Sequence, residues 1–311
     1  MTSLLTNMAA KTALQTLTQT NRNLETTQNR IATGKSVASA QDNAAYWSIA
    51  TTMRSDSSAL STVQDALGLG SATIDVAANA LNSSIDIVSE IKKKLVAARE
   101  PGVDKTKVQT EITELQGSLQ SIADASVFSG ENWISVNSGS TGYNASKQVV
   151  ASFTRTAGAV SIGTITVNTA NVKLFDSDTT GVGTIDGSRS SSGALSSTGT
   201  FALSTVSISA LTDSAADVTT LNSYIAGADA AVATMTSSAA TLGAVKSRIT
   251  LQKDFIAGLK SAIDSGIGQL VDADMNEEST RLQALQVQAQ LGVQALSIAN
   301  QSSQNILSLF R

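Results

Sequence analysis

The side chains best placed for chemistry in this sequence form two clusters of opposite charge. Asp272, Asp274, Glu277 and Glu278 bring four carboxylates into seven residues, and paired carboxylates are the minimum equipment for general acid–base hydrolysis. Lys92-Lys93-Lys94 is the one basic cluster, the kind of patch that attracts phosphate. Neither is framed for its task. The carboxylates stand beside a helical repeat with no aromatic or glycine-rich surround to hold a substrate, which reads as a solvated helix face. The lysines lie among Glu90, Ile91 and Leu95, the wet side of an amphipathic helix.

What is missing excludes more. The 311 residues contain no cysteine and no histidine, which removes thiolate nucleophiles, histidine bases, disulfides and the zinc sites built on those ligands. No catalytic, metal-binding or cofactor-binding residue is assigned, no cofactor is expected, and the chain is read as not an enzyme. A net charge of −4 argues against nucleic acid as a partner, because phosphate binding needs a basic stripe. The first 30 residues lack the basic and apolar regions of a secretory signal. Leu282 to Phe310 is long enough to span a bilayer but carries seven Gln and two Asn, whose amides hydrocarbon leaves unsatisfied, so no membrane partner is expected.

The elements that carry these side chains follow from spacing. Hydrophobic residues make up 41 % of the chain and aromatics 4 %, a composition suited to helices packed on helices. Leu17, Leu24 and Ile31 recur every seven residues, with Leu14 assigned to the same side, and the run stops at Gly34. From about Asp42 to Arg99 a second helix, ~90 Å long at 1.5 Å per residue, carries Leu60, Val63, Leu67, Gly70, Ile74, Ala77, Leu81, Ser84, Val88, Ile91, Leu95 and Ala98. Steps that alternate three and four mark a coiled-coil seam. Pro101-Gly102 ends that helix, Asp104 caps the next, and Val108, Ile112, Leu115, Leu119 and Ile122 return the seam as an antiparallel hairpin.

Past Ser126 the pattern turns Gly-, Ser- and Thr-rich. Strands are predicted at Gln148–Thr154, Val160–Val167, Asn171–Phe175 and Phe201–Ala210, with bulges at Gly163 and Thr205. Disorder of Thr179–Thr200 is the alternative for that stretch. Helix resumes after Thr212 or Asp213 and runs through Val218, Leu221, Ile225, Ala228, Val232, Met235, Ala239, Leu242, Val245, Ile249, Ile256, Leu259 and Ile263, with a phase slip between Leu242 and Val245 that requires local overwinding. Gly266 and Gly268 are read as a hinge before a last helix bearing Leu282, Leu285, Ala289, Gly292, Leu296, Ala299, Ser303, Ile306 and Phe310. The expected fold is mainly α: a long antiparallel coiled-coil bundle from both chain ends around a small β-rich central surface domain.

Charge separates the outer helices from the inner ones. Residues 240–281 carry eleven charges, residues 282–310 none, and residues 1–41 only Lys11, Arg22, Glu25, Arg30 and Lys35. A helix that stays in water gains by placing charges opposite its seam, whereas faces of Gln, Asn, Ser and Thr suit burial on several sides. The ends are therefore expected to fold on assembly. The residues assigned to polymerisation are Leu14, Leu17, Leu24, Ile31, Leu282, Leu285, Leu296, Ile306 and Phe310. A soluble coiled-coil dimer is the plainer alternative.

The residues are specific enough for a family resemblance. Asn29-Arg30-Ile31-Ala32-Thr33-Gly34-Lys35-Ser36-Val37-Ala38-Ser39-Ala40-Gln41-Asp42-Asn43-Ala44-Ala45 resembles the flagellin segment Gln-Arg-Leu-Ser-Thr-Gly, then Ser-Ala, then Asp-Asp-Ala-Ala. Ala295-Leu296-Ser297-Ile298-Ala299-Asn300-Gln301 and Gln304-Asn305-Ile306-Leu307-Ser308-Leu309 resemble its closing motif, most closely in the alpha-proteobacterial branch. The resemblance covers about residues 1–137 and 215–311. It implies a structural subunit of the bacterial flagellar filament, extracellular and exported by the flagellar type III apparatus. Residues 1–41 and 266–311 would form an inner tube, 42–138 and 212–265 a helical shell, and 139–211 a variable outer domain. The implied partners are other flagellin subunits, an export chaperone, a cap and hook-associated proteins. A hook–filament junction protein and a secreted coiled-coil adhesin are the competing functions; a metalloprotease insert needs histidines that this chain lacks.

Two departures from the family pattern bear on host recognition. In the segment that matches the one read by vertebrate Toll-like receptors, Val88 to Leu95, Glu90 stands where the recognised pattern has Arg and Lys93 where it has Glu. In the segment recognised by plants, Gln41 replaces Lys, Asn43 replaces Asp, and Tyr46-Trp47 replaces Gly-Leu. Both departures count against recognition.

Overall fold

The computed structural model describes residues 7–156, 158–178, 182–196 and 199–309, with helix side chains through Gln301. Among the described residues the helices are α1 (Met8–Thr33), α2 (Ala44–Ala97), α3 (Lys105–Ala125), α4 (Ala215–Val271) and α5 (Met275–Leu309). The chain divides into two compact units, Met1–Ser58 with Leu259–Arg311, and Ala59–Gly258. That division falls inside α2 and α4, whereas the expected boundaries lay near residues 41 and 265.

In the first unit α1 packs on α5. Asn7 caps α1 by accepting from the Ala10 backbone N–H at 3.0 Å, and Gly34 ends it at φ +69°, donating to the Arg30 carbonyl. That left-handed conformation is nearly free for glycine only. Ala10, Ala13, Leu17, Thr20, Leu24, Thr27 and Ile31 form the covered stripe of α1; Glu278, Leu282, Leu285, Ala289, Gly292, Leu296 and Ala299 form that of α5. The helices are antiparallel, because the Asn7 amide donates to the Ala299 carbonyl at 2.9 Å and Arg30 pairs with Glu278 at 3.0 Å. Midway, a Cβ on Gly292 would stand 3.1 Å from Leu17 Cδ1, so the missing side chain lets the helices close up.

The expected glycine hinge is corrected. α4 runs through Gly266 and Gly268 and ends at Val271. A helical glycine costs only about 1 kcal/mol, and a Cβ on Gly266 would touch Met53 at 3.5 Å. The break is made by the carboxylates instead: Asp274 caps α5, accepting from the Asn276 N–H at 2.9 Å. Around it Val37, Ala50, Ile267 and Val271 form a small core with Met53, Ile263 and Leu270. Ser36 and Val37 donate to the Val271 carbonyl, and Ala273 donates to Gly34.

The second unit holds its helices by regular burial. All twelve predicted positions of α2 from Leu60 to Ala98 are buried. α3, capped by Asp104, buries Ile112, Leu119 and Ala123. α4 buries Leu221, Ala228, Met235, Leu242, Ile249 and Ile256 at strict seven-residue steps, and the phase slip at Val245 is absorbed without a break. Lys92 pairs with Asp229 and Asp75 with Lys246, the same seventeen-residue step taken in opposite directions, so α2 and α4 run antiparallel in register.

The middle of the chain packs on these helices. β1 (Val127–Phe128) and β2 (Glu131–Asn132) form a tight hairpin, β3 (Ser135–Val136) pairs in parallel with β6 (Phe175–Asp176), and β4 (Ser146–Thr156) pairs antiparallel with β5 (Ala159–Asn168). The long hairpin carries a bulge at Ala151, opposite Gly163, where a Cβ would meet Ser152 Oγ at 2.3 Å. Val149 presses on Gly70 of α2.

The predicted strands Asn171–Phe175 and Phe201–Ala210 are corrected. The first is a turn leading into the two-residue β6, and the second is irregular with one 3-10 turn, Leu203–Thr205. Its backbone is satisfied by α3 side chains: Gln116 donates to the Leu203 and Val206 carbonyls, and Gln109 accepts from the Ile208 N–H at 2.7 Å. Side-chain amides thus replace a sheet ladder. Residues 182–196 form turns around Arg189, whose buried guanidinium donates to the Gly193 and Thr184 carbonyls at 2.7 and 2.6 Å. The alternative of disorder does not hold for those residues.

Candidate assembly surface

Six of the residues assigned to polymerisation face the chain itself. Leu17, Leu24 and Ile31 lie half-buried in the α1 stripe, Leu282 and Leu296 half-buried in the α5 stripe, and Leu285 is buried. Leu14 is 53 % exposed, off the stripe by one position. The side chain of Ile306, and Phe310, lie outside the described residues.

The uncovered faces are where apolar surface remains. Val287, Leu291 and Ile298 of α5 are 55 %, 57 % and 67 % exposed. Steps of four and seven put them on one line of the helix, nearly opposite the stripe that meets α1. α5 is thus apolar on two faces and covered on one, with no charge after Arg281 before the final residue. The sequence held the signal for this second line, but the seam drew attention to the first.

Threonine satisfies part of the polar outer side of α1 from within the helix. Thr12, Thr16, Thr18, Thr26 and Thr33 each turn the hydroxyl onto the carbonyl four residues back, at 2.8 to 3.0 Å, as Thr20 does within the covered stripe. Their hydroxyl protons are donated inside the helix.

The carboxylate cluster is only partly the solvated face expected. Asp272, Asp274 and Glu277 are exposed, but Glu278 is 5 % exposed, held by Arg30 at 3.0 Å and Arg281 at 3.1 Å. It faces α1 because its position falls on the α5 stripe. In the lysine cluster each ammonium has an acidic partner: Lys92 meets Asp229, Lys93 meets Glu90 at 3.0 Å, and Lys94 meets Glu111 at 2.5 Å. Those pairs leave no unbalanced basic patch.

Among the positions tied to host recognition, Glu90 and Lys93 therefore neutralise each other. Gln41 is exposed in the turn before α2. Asn43 caps α2, its Oδ1 accepting from the Ala45 and Tyr46 N–H groups at 3.1 Å. Beside it, backbone N–H groups of Ser39 and Ala38 hold the Asp42 carboxyl below the usual range. Tyr46 and Trp47 are 47 % and 38 % exposed. Among the described residues no group of His, Cys, Asp or Glu could hold a metal ion, and no helix is long and apolar enough to cross a membrane.

Comparison with known proteins agrees with this architecture. The model of the bacterial flagellin N-terminal helical region matches residues 4–138, and that of the C-terminal helical region matches residues 225–310. Flagellin C of Rhizobium meliloti (strain 1021) is 49 % identical over 322 residues, with all of both chains covered. Flagellin A of the same strain is 44 % identical over 396 residues, and a flagellin of Brucella melitensis biotype 1 is 46 % identical over 312, again with full coverage of both chains. With both helical ends matched in order and relatives aligned from end to end, this chain belongs to the bacterial flagellin family, in its alpha-proteobacterial form.

Proposed function

We propose that the uncovered faces of α1 and α5, not the seam between them, make the contacts that join one subunit to the next. The chain is a structural subunit of the extracellular bacterial flagellar filament, polymerises with other flagellin subunits, and is not an enzyme. The observation that carries the proposal is the line Val287, Leu291 and Ile298, exposed on the part of α5 beyond Arg281, which carries no charge before the final residue. Exposed apolar lines of this kind are covered by partners. Leu17, Leu24, Ile31, Leu282, Leu285 and Leu296 then hold the pair in the geometry that presents this line, and Leu14 lies on the outward side.

In this reading residues 1–41 and 266–311 build the inner tube, residues 42–138 and 212–265 the shell, and residues 139–211 the outer domain. The export chaperone, cap and hook-associated proteins are the partners the family implies before and around assembly. The mutual pairing of Glu90 and Lys93, with Asn43 spent on a helix cap, supports weak recognition by the two host receptors.

The test compares two substitutions on α5. Leu291→Asp should prevent seeded filament growth while leaving the monomer's helical circular dichroism unchanged. Leu285→Asp should lower both, since an unpaired carboxylate then sits in the seam. Normal growth of the Leu291→Asp protein would overturn the assignment.

A further inference from the structure

A second exposed apolar feature lies far from the chain ends. On α4, Leu251 and Phe255 are 71 % and 63 % exposed. They are one helical turn apart and point away from the buried positions Ile249 and Ile256. No described residue of the second unit covers this ridge. The same unit has a half-open cleft of about 770 Å³ beside α2, with Leu69, Phe128, Trp133, Val149 and Val150 on its walls. Leu69 is 53 % exposed there.

The two features stand at one height. The Asp75–Lys246 pair fixes the antiparallel register of α2 and α4, and six residues further along each helix Leu69 stands level with Gln252, next to Leu251 and within a turn of Phe255. Charge matches as well. Between residues 59 and 90 α2 carries Asp65, Asp75, Asp86 and Glu90 and no base; between 246 and 258 α4 carries Lys246, Arg248 and Lys253 against Asp254. Asp75 and Lys246 are used within the chain, and Lys147 and Glu131 of the cleft lining pair with each other at 3.2 Å, which leaves exposed Asp65, next to the lining residue Ala66, and exposed Arg248 and Lys253 beside the ridge.

We infer that the Leu251–Phe255 ridge of one subunit seats in the Leu69 cleft of a second copy of the same chain placed alongside it. The contact is heterologous: ridge meets cleft, and each copy keeps one of each free for the next neighbour, the requirement for an open assembly. It rests on the chain's polymerisation but is independent of the contacts proposed for α1 and α5, and it adds a sideways contact in the helical shell. An exposed phenylalanine beside basic side chains is the form of an interface anchor.

The absence of native cysteine gives a clean test. A Phe255→Cys chain and a Leu69→Cys chain, each made full-length, are mixed, grown on filament seeds and treated with a short bismaleimide. The expected product is a cross-linked dimer in filaments of the mixture, absent from filaments of either variant alone and from the soluble mixture. Filaments that form without this dimer, or that give equal dimer from Phe255→Cys alone, would overturn the inference. Leu251→Cys repeats the experiment if Phe255→Cys prevents growth, and the same two results decide it. In parallel, Phe255→Asp should raise the protein concentration needed for seeded growth at least tenfold with unchanged monomer helicity; an unchanged threshold counts against the contact. Failure of the unmodified chain to grow on seeds would instead fault the polymerisation reading, so the two are told apart.

Discussion

The α1–α5 pair and the α2–α4 pair are written in the same three-four spacing, yet they end in different conditions. In α2 and α4 the stripe is a finished core: Leu67, Ile74, Leu81, Ile91, Met235 and Leu242 are fully buried. In α1 the fully buried residues are two threonines, Thr20 and Thr27, and its leucines are half-covered at best. The outward faces differ in the opposite sense. Around α2 and α4 they carry ion pairs such as Lys94–Glu111 and Lys246–Asp75 beside the short Leu251–Phe255 ridge, whereas α5 presents Val287, Leu291 and Ile298 with no charge after Arg281 before the final residue. Spacing thus says where a helix touches its first partner. The polarity of the remaining surface says whether it expects a second.

The largest effect that would sharpen this contrast is loss of assembly. Removing residues 296–311 should abolish seeded filament growth while the helical signal of α2, α3 and α4 persists, because their buried stripe owes nothing to the tail. Filaments at normal yield, or melting of the whole chain, would erase the distinction between the two pairs.

Next in size is a core deletion read by urea unfolding of the monomer. Leu81→Ala should destabilise by about 2–5 kcal/mol, since Leu81 is fully enclosed. Leu17→Ala, half-covered in α1, should cost under about 1 kcal/mol. Equal losses would show the α1–α5 seam to be as complete a core as the other.

A smaller change is expected at Glu278, the one buried charge among the described residues of the first unit. Glu278→Gln leaves Arg30 without its carboxylate, and the loss of about 2 kcal/mol should appear as faster amide exchange along α1. No acceleration would mean that apolar contacts alone hold the pair.

The smallest effect is one of pH and belongs to the central segment. Burial works to raise the Asp176 carboxyl, but the Lys173 ammonium at 2.5 Å and backbone N–H groups of Ser138 and Asp178 outweigh it and hold it at about 2. A folded value below the ordinary 3.8 means that this stabilisation is complete above that pH and is lost as pH falls from there toward 2. Near-ultraviolet circular dichroism should show loosening in that window, and Asp176→Asn should remove the dependence.

The sequence carried much of this arrangement in readable form, and the failures share a cause. Periodicity found the α2 stripe from Leu60 to Ala98 and the Asp104 cap because both depend on near neighbours in the chain. It misplaced the end of α4 because Gly266 and Gly268 look like breakers until the closeness of Met53 is known. It misread Phe201–Ala210 because Leu203, Val206 and Ile208 are buried without a strand partner, their backbone satisfied by Gln109 and Gln116 some ninety residues away. It treated Glu278 as solvated because Arg30 lies 248 positions distant. At the assembly surface, composition showed that the ends expect neighbours, but which line meets the sister helix and which remains open depends on the angle at which α1 and α5 meet.

The threonine hydroxyls folded back along α1 have a thermal consequence. Threonines whose hydroxyls already donate within the helix need not be re-paired when a neighbour covers them, so this part of the proposed contact behaves as apolar surface and releases ordered water. Such association has a negative heat capacity change and near room temperature is driven by entropy. Filament growth through the proposed face should therefore strengthen with mild warming and in sulfate, and weaken in the cold.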